Sequence, residues 1–157
     1  EITKAGEDGH VIWPYHCISG SVGQGIYHEL HDAINNWEKY KKKNLRIFRK
    51  GNFPFAEQTS AVQAKGNPLL CGVNMDLLMT CARSEVTIVA GEAMDVCVAE
   101  TIKDLVDKQD SIAGKLIILE DAMSAVNPGG DTSKRDSFIE WAKSVGIQFT
   151  TTDKLLL

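Results

Sequence analysis

The chain has 157 residues, of which 43% are hydrophobic, enough to bury the core of one domain. Its formal charge of -4 and its single short basic run, 41–43, exclude a broad phosphate-binding surface, so nucleic acid is not an expected partner. No apolar run approaches the roughly 20 residues that span a bilayer, and the opening EITKAGEDGH is polar and acidic, unlike a leader peptide. The expectation is a soluble, cytoplasmic protein with no membrane partner. Its four cysteines, Cys17, Cys71, Cys81 and Cys97, lack C-x-x-C pairs, and free thiols are expected.

Along the chain, WPYHC at 13–17 places an imidazole, a thiol and two aromatic rings in one turn. His16 there is a candidate to bind a metal or orient a substrate, although a metal requires at least two further ligands. GSVGQG at 20–25 fits neither G-x-G-x-x-G nor the Walker pattern and reads as a glycine-rich entry to a helix. Ile26, Leu30, Ile34 and Trp37 fall at helical spacing, and His28 and His31 lie on a polar face that reads as solvated rather than as a ligand pair. LRIF at 45–48 has the look of a fully buried strand, with Lys50 just beyond it. Leu69, Val73, Leu77 and Cys81 give a second helix pattern, and VTIVA at 86–90 a second buried strand. Val98, Ile102 and Leu105 follow as a helix, KLIILE at 115–120 as a strand and NPGGD at 127–131 as a turn. Phe138, Trp141 and Val145 form the last helix pattern, ended by Gly146 before a weaker strand, IQFTT at 147–151.

Alternation of strand and helix predicts parallel βαβ units with right-handed crossovers, hence an α/β domain whose sheet carries helices on both faces. One domain over 1–157 is expected, with ligands at the carboxyl ends of the strands. The first 17 residues, EITKAGEDGHVIWPYHC, offer no clear opening strand, so the chain is expected to be the C-terminal portion of that domain.

Cys97 follows the strand VTIVA closely, within the first turn of the next helix if Asp95 is its N-cap. Free N–H groups and the positive end of a helix dipole stabilise a thiolate and can hold an oxyanion. An ordinary buried cysteine suits the same position. Lys50, past another strand, would bring an ammonium to the same sheet edge and favour the thiolate by Coulomb attraction. Arg46, Arg49 and Lys65 are open to the same argument and lack only the strand-end position. No G-x-S-x-G elbow supports a serine hydrolase.

Four blocks, in order, resemble the cysteine hydrolases of the isochorismatase-like superfamily, whose best known amidases are nicotinamidases. They are WPYHCISGSVGQGIYHEL, FRKGNFPFAEQTSAV, VTIVAGEAMDVCVAETIKDL and KLIILEDAMSA. The resemblance implies a three-layer α-β-α fold with a mainly parallel, Rossmann-like sheet. It implies Cys97 as nucleophile with Lys50 beside it, a cis peptide at Glu92-Ala93, and an oxyanion hole of the Ala93 and Cys97 amides. It further implies Trp13 against the substrate ring and His16 as a ligand of zinc or another divalent metal, with no organic cofactor. The family's catalytic aspartate and its other metal ligands match positions before Glu1. Glu92 and Met94 depart from the small or apolar residues common in nicotinamidases, which leaves the substrate open.

The implied activity is cleavage of the C–N bond of a small carboxamide through a thioester, by a homo-oligomer. Two alternatives stand beside it: an isochorismatase-type hydrolase, which uses no cysteine, and a non-catalytic binding protein that keeps the fold.

Overall fold

The computed structural model describes residues 14–52, 56–66, 72–127 and 130–155. Its described residues divide into two compact units, one ending at Phe48 and the other beginning at Arg49. In the first, a short 3-10 turn, Val22–Gln24, leads into helix α1, His28–Lys41. Gly20 adopts φ +83, and its amide donates to Gln24 Oε1 at 2.9 Å, so the glycine-rich stretch is a folded approach to the helix.

LRIF is not a strand. Residues 43–50 run without a ladder, Ile47 is 68% exposed, and the Leu45 amide donates to the Glu38 carboxylate at the end of α1. A strand forms only where a neighbouring backbone meets its N–H and C=O groups. This run satisfies the Leu45 amide from a side chain instead, despite its β-rich composition.

The second unit contains helix α2, Met75–Arg83, strand β1, Thr87–Glu92, and a π-helical turn, Met94–Val98. Helix α3, Ala99–Lys108, a 3-10 segment, Asp110–Lys115, and strand β2, Leu116–Ser124, follow. Helix α4, Ser133–Ser144, and strand β3, Gln148–Thr150, complete it. The sheet order is β1-β2-β3 and both pairings are parallel, the arrangement expected of successive βαβ crossovers.

Local sequence explains the ends of these elements. The Asn74 side chain caps α2 by accepting from the Leu77 amide at 3.1 Å. At the end of α4, Gly146 takes φ +91 while its amide donates to Lys143 O at 3.2 Å and that of Ile147 to Ala142 O at 3.0 Å. This is the double-bonded glycine stop that only a residue without Cβ enters freely.

Register sets which residues are buried. Thr87 and Val89 of β1 share a face with Leu116 and Ile118 of β2 and Phe149 of β3. On that face Leu78, Cys81, Ile102, Leu105, Phe138 and Ala142 from α2 to α4, with Val98 of the π-helical turn, join one continuous core. The opposite face of β1 carries Ile88 and Ala90, both exposed among the described residues. Hence β1 alternates half-buried and exposed positions rather than being buried throughout. When strands follow one another in spatial order with crossovers of one hand, both connecting helices fall on one face.

Candidate active site

Cys97 lies at the carboxyl end of β1. The peptide between Glu92 and Ala93 is cis, and the chain then winds through the π-helical turn that carries Cys97 half-buried. Amides of Val96 and Val98 both donate to Ala93 O, at 3.2 and 3.0 Å, wrapping the turn around that carbonyl. Wide turns of this type recur at functional sites.

Asp95 does not cap this helix. The cap position is Ala93, and Asp95 is 7% exposed, with its carboxylate accepting from Val126 N at 2.9 Å and Asn127 N at 3.2 Å. Turned inward, the carboxylate meets the loop that leaves β2 instead of its own helix amides. Glu92 makes a parallel tie, accepting from Ser124 N at 3.3 Å and Ser124 Oγ at 2.7 Å. The pairing of β1 with β2 slips between Val89 and Gly91, so that Glu92 comes level with Ser124. Two acids thus fasten the loop around Cys97 to the end of the next strand.

Lys50 is not at a strand end. Its exposed ammonium donates to the carbonyls of Gln58, at 3.3 Å, and Thr59, while the Gly51 amide donates to Gln58 Oε1 at 2.7 Å. The acceptors belong to a loop, 56–66, that closes on itself through Lys65 N to Glu57 O at 2.7 Å. Its middle is inside the protein: Ser60 is 0% exposed and Val62 1%.

Helix α3 grips this loop at two points. Thr101 Oγ1 accepts from the Ala61 amide at 3.0 Å and donates to Cys97 O at 2.7 Å. Lys65 pairs with Glu100 at 2.8 Å. Burial pushes Asp104 above the usual carboxylate range, outweighing the Ser60 hydroxyl that acts the other way. For Glu100, burial raises the pKa, but the hydrogen bond and charge of Lys65, with Lys103, bring it below the ordinary value. Lys50 and Cys97 are therefore joined indirectly, through the 56–66 loop and Thr101.

Of the remaining predicted residues, Trp13 lies outside the described residues, as does Cys71. His16, in the first unit, is exposed, and its Nδ1–H donates to Pro14 O at 2.7 Å. Among the described residues no group of three His, Cys, Asp or Glu side chains gathers to hold a metal. His16 by itself falls short of the three protein ligands of a catalytic zinc site. His31 Nδ1 accepts from the Asn35 amide group at 3.1 Å, in keeping with a polar surface. Cys17 is exposed, while Cys81 is buried in the core, which pushes its thiol up.

Sequence reasoning missed Thr101, Ser60 and Asp104. The one available signal was local: Thr101 stands one helical turn after Cys97.

Solved structures share this arrangement of chain. An Acinetobacter baumanii nicotinamidase/pyrazinamidase superposes with a TM-score of 0.63 at 20% identity, covering 93% of this chain and 62% of that one. The chain has the nicotinamidase fold. Yeast nicotinamidase gives 0.62 at 20% identity, with 94% and 63% covered. A Pyrococcus horikoshii pyrazinamidase, solved in complex with zinc, gives 0.57 at 18% identity, with 95% and 66% covered. The chain spans less than two thirds of the length of each. No protein-family model and no curated protein matches the sequence. Among the described residues no helix is long and apolar enough to cross a membrane.

Proposed function

We propose that the protein is a cysteine hydrolase that cleaves the C–N bond of a small carboxamide. The observation that carries this reading is the position of Cys97. It stands in a π-helical turn at the carboxyl end of a parallel strand, in a fold shared with nicotinamidases.

In the proposed reaction the Cys97 thiolate attacks the carbonyl carbon, forming a C–S bond as the carbonyl π pair moves onto oxygen. The Ala93 and Cys97 amides hold that oxyanion. Collapse breaks the C–N bond, and the leaving nitrogen takes a proton to depart as ammonia. Water then adds to the thioester, the C–S bond breaks, and the carboxylic acid and Cys97 are released. Lys50 favours the thiolate electrostatically. The proton that Cys97 gives up on becoming the thiolate balances the one the leaving nitrogen takes.

Ammonia release measured over a panel of small carboxamides, nicotinamide included, tests the proposal. Release is expected from at least one of them and is expected to vanish in Cys97→Ala. Full release by that variant overturns it.

A further inference from the structure

A threonine that bonds back to the carbonyl one turn earlier is a common local feature of helices, so the Thr101 to Cys97 bond alone carries little. The second bond is the informative one. It comes from the amide of Ala61, 40 residues away, in the loop whose Gln58 and Thr59 carbonyls hold the Lys50 ammonium. A lysine ammonium is a compact charge on a flexible stem, and its effect on a thiol falls with distance and with solvent screening. The influence of Lys50 on Cys97 therefore depends on what fixes the loop relative to the cysteine. Lys65–Glu100 also fastens the loop to α3. Among the described residues, however, Thr101 is the side chain that bonds both the loop and the Cys97 carbonyl.

We propose that Thr101 is a positioning residue that sets the Lys50 ammonium relative to the Cys97 thiol. This rests on the reading of Cys97 as nucleophile and Lys50 as its cation.

The test is the pH profile of iodoacetamide alkylation, read on the Cys97 peptide by mass spectrometry. Valine keeps the shape of threonine and removes its hydroxyl. Thr101→Val is expected to move the midpoint up by about one pH unit, slowing alkylation at pH 7 roughly 10-fold. Thr101→Ser is expected to return the rate to within about 2-fold of the parent, because it restores the bonding group. The Glu92 and Asp95 carboxylates, bonded to residues 124–127, are untouched by either change. Alkylation of buried Cys81 reports general loosening and is expected to stay slow.

Lys50→Met separates the two layers of the account. If its midpoint equals that of the parent, the Cys97–Lys50 reading fails and the role of Thr101 falls with it. If Lys50→Met moves the midpoint and a folded Thr101→Val does not, only the inference on Thr101 is overturned. Should Thr101→Val not fold, hydrogen exchange of the Ala61 amide in the unaltered protein decides. Slow exchange is expected, and exchange at the rate of an unprotected amide overturns the proposal.

Discussion

The carboxylate of Asp95 accepts the Val126 amide at 2.9 Å, so a residue two positions before Cys97 holds the loop that leaves the neighbouring strand. With Asn127 N as a second donor, and with Asp95 only 7% exposed, the loop around Cys97 and the end of β2 behave as one piece. Removing the carboxylate leaves two backbone donors without their partner. Hydrogen bonds to charged groups are worth roughly 1.5–3 kcal/mol. Asp95→Ala is expected to cost about 2–3 kcal/mol, a fall in Tm of roughly 5–10 °C for a chain of this size. Asp95→Asn keeps one acceptor and is expected to lose about half as much. Thermal unfolding of the two variants checks the order.

Helix α3 carries two acids whose contributions to stability run in opposite directions with pH. Glu100 has a folded pKa below its unfolded one, so its contribution is present above the unfolded pKa and is lost as pH falls through the folded value. Asp104 has a folded pKa above its unfolded one, so its contribution is present below the unfolded pKa and is lost as pH rises through the folded value. Glu100→Gln is expected to destabilise at pH 7, by up to about 1 kcal/mol, and to be nearly neutral once the carboxyl is protonated. Asp104→Asn is expected to be more stable than the parent at pH 7, with the gain shrinking toward acid. Urea midpoints measured from pH 3 to 7 distinguish these trends, and parallel behaviour of the two variants would contradict them.

Gly146 closes α4 at φ +91, a conformation that costs an L side chain about 1–2 kcal/mol. Gly146→Ala is expected to destabilise by that amount without altering Cys97 alkylation. Denaturation and labelling of one sample read both quantities.

Local patterns made much of the fold legible. VTIVA and KLIILE became β1 and β2, the apolar spacing of Val98, Ile102 and Leu105 became a buried stripe running from the π-helical turn into α3, and Gly146 ended α4. What failed depended on contacts distant in sequence. LRIF carries a strand composition, but a ladder needs a neighbour, and the Leu45 amide is satisfied by Glu38. β2 runs on to Ser124, beyond KLIILE, because its pairing resumes at Met123 and Ser124 opposite Gly91 and Glu92. Asp95 sits where an N-cap belongs, yet its donors come from residues 126 and 127. In the candidate site, the nearness of Cys97 to the end of β1 was readable. The route from Lys50 was not, because it passes through a loop and a threonine with no signature of their own.

Cys97 as the attacking atom is the centre of this account, and acid quenching during turnover with a carboxamide substrate examines it directly. Mass spectrometry is expected to find an acyl group on the Cys97 peptide, with ammonia release in Cys97→Ala lowered by at least about 10³-fold. Undiminished ammonia release in Cys97→Ala, with no acyl group on Cys97 in the parent, would contradict it.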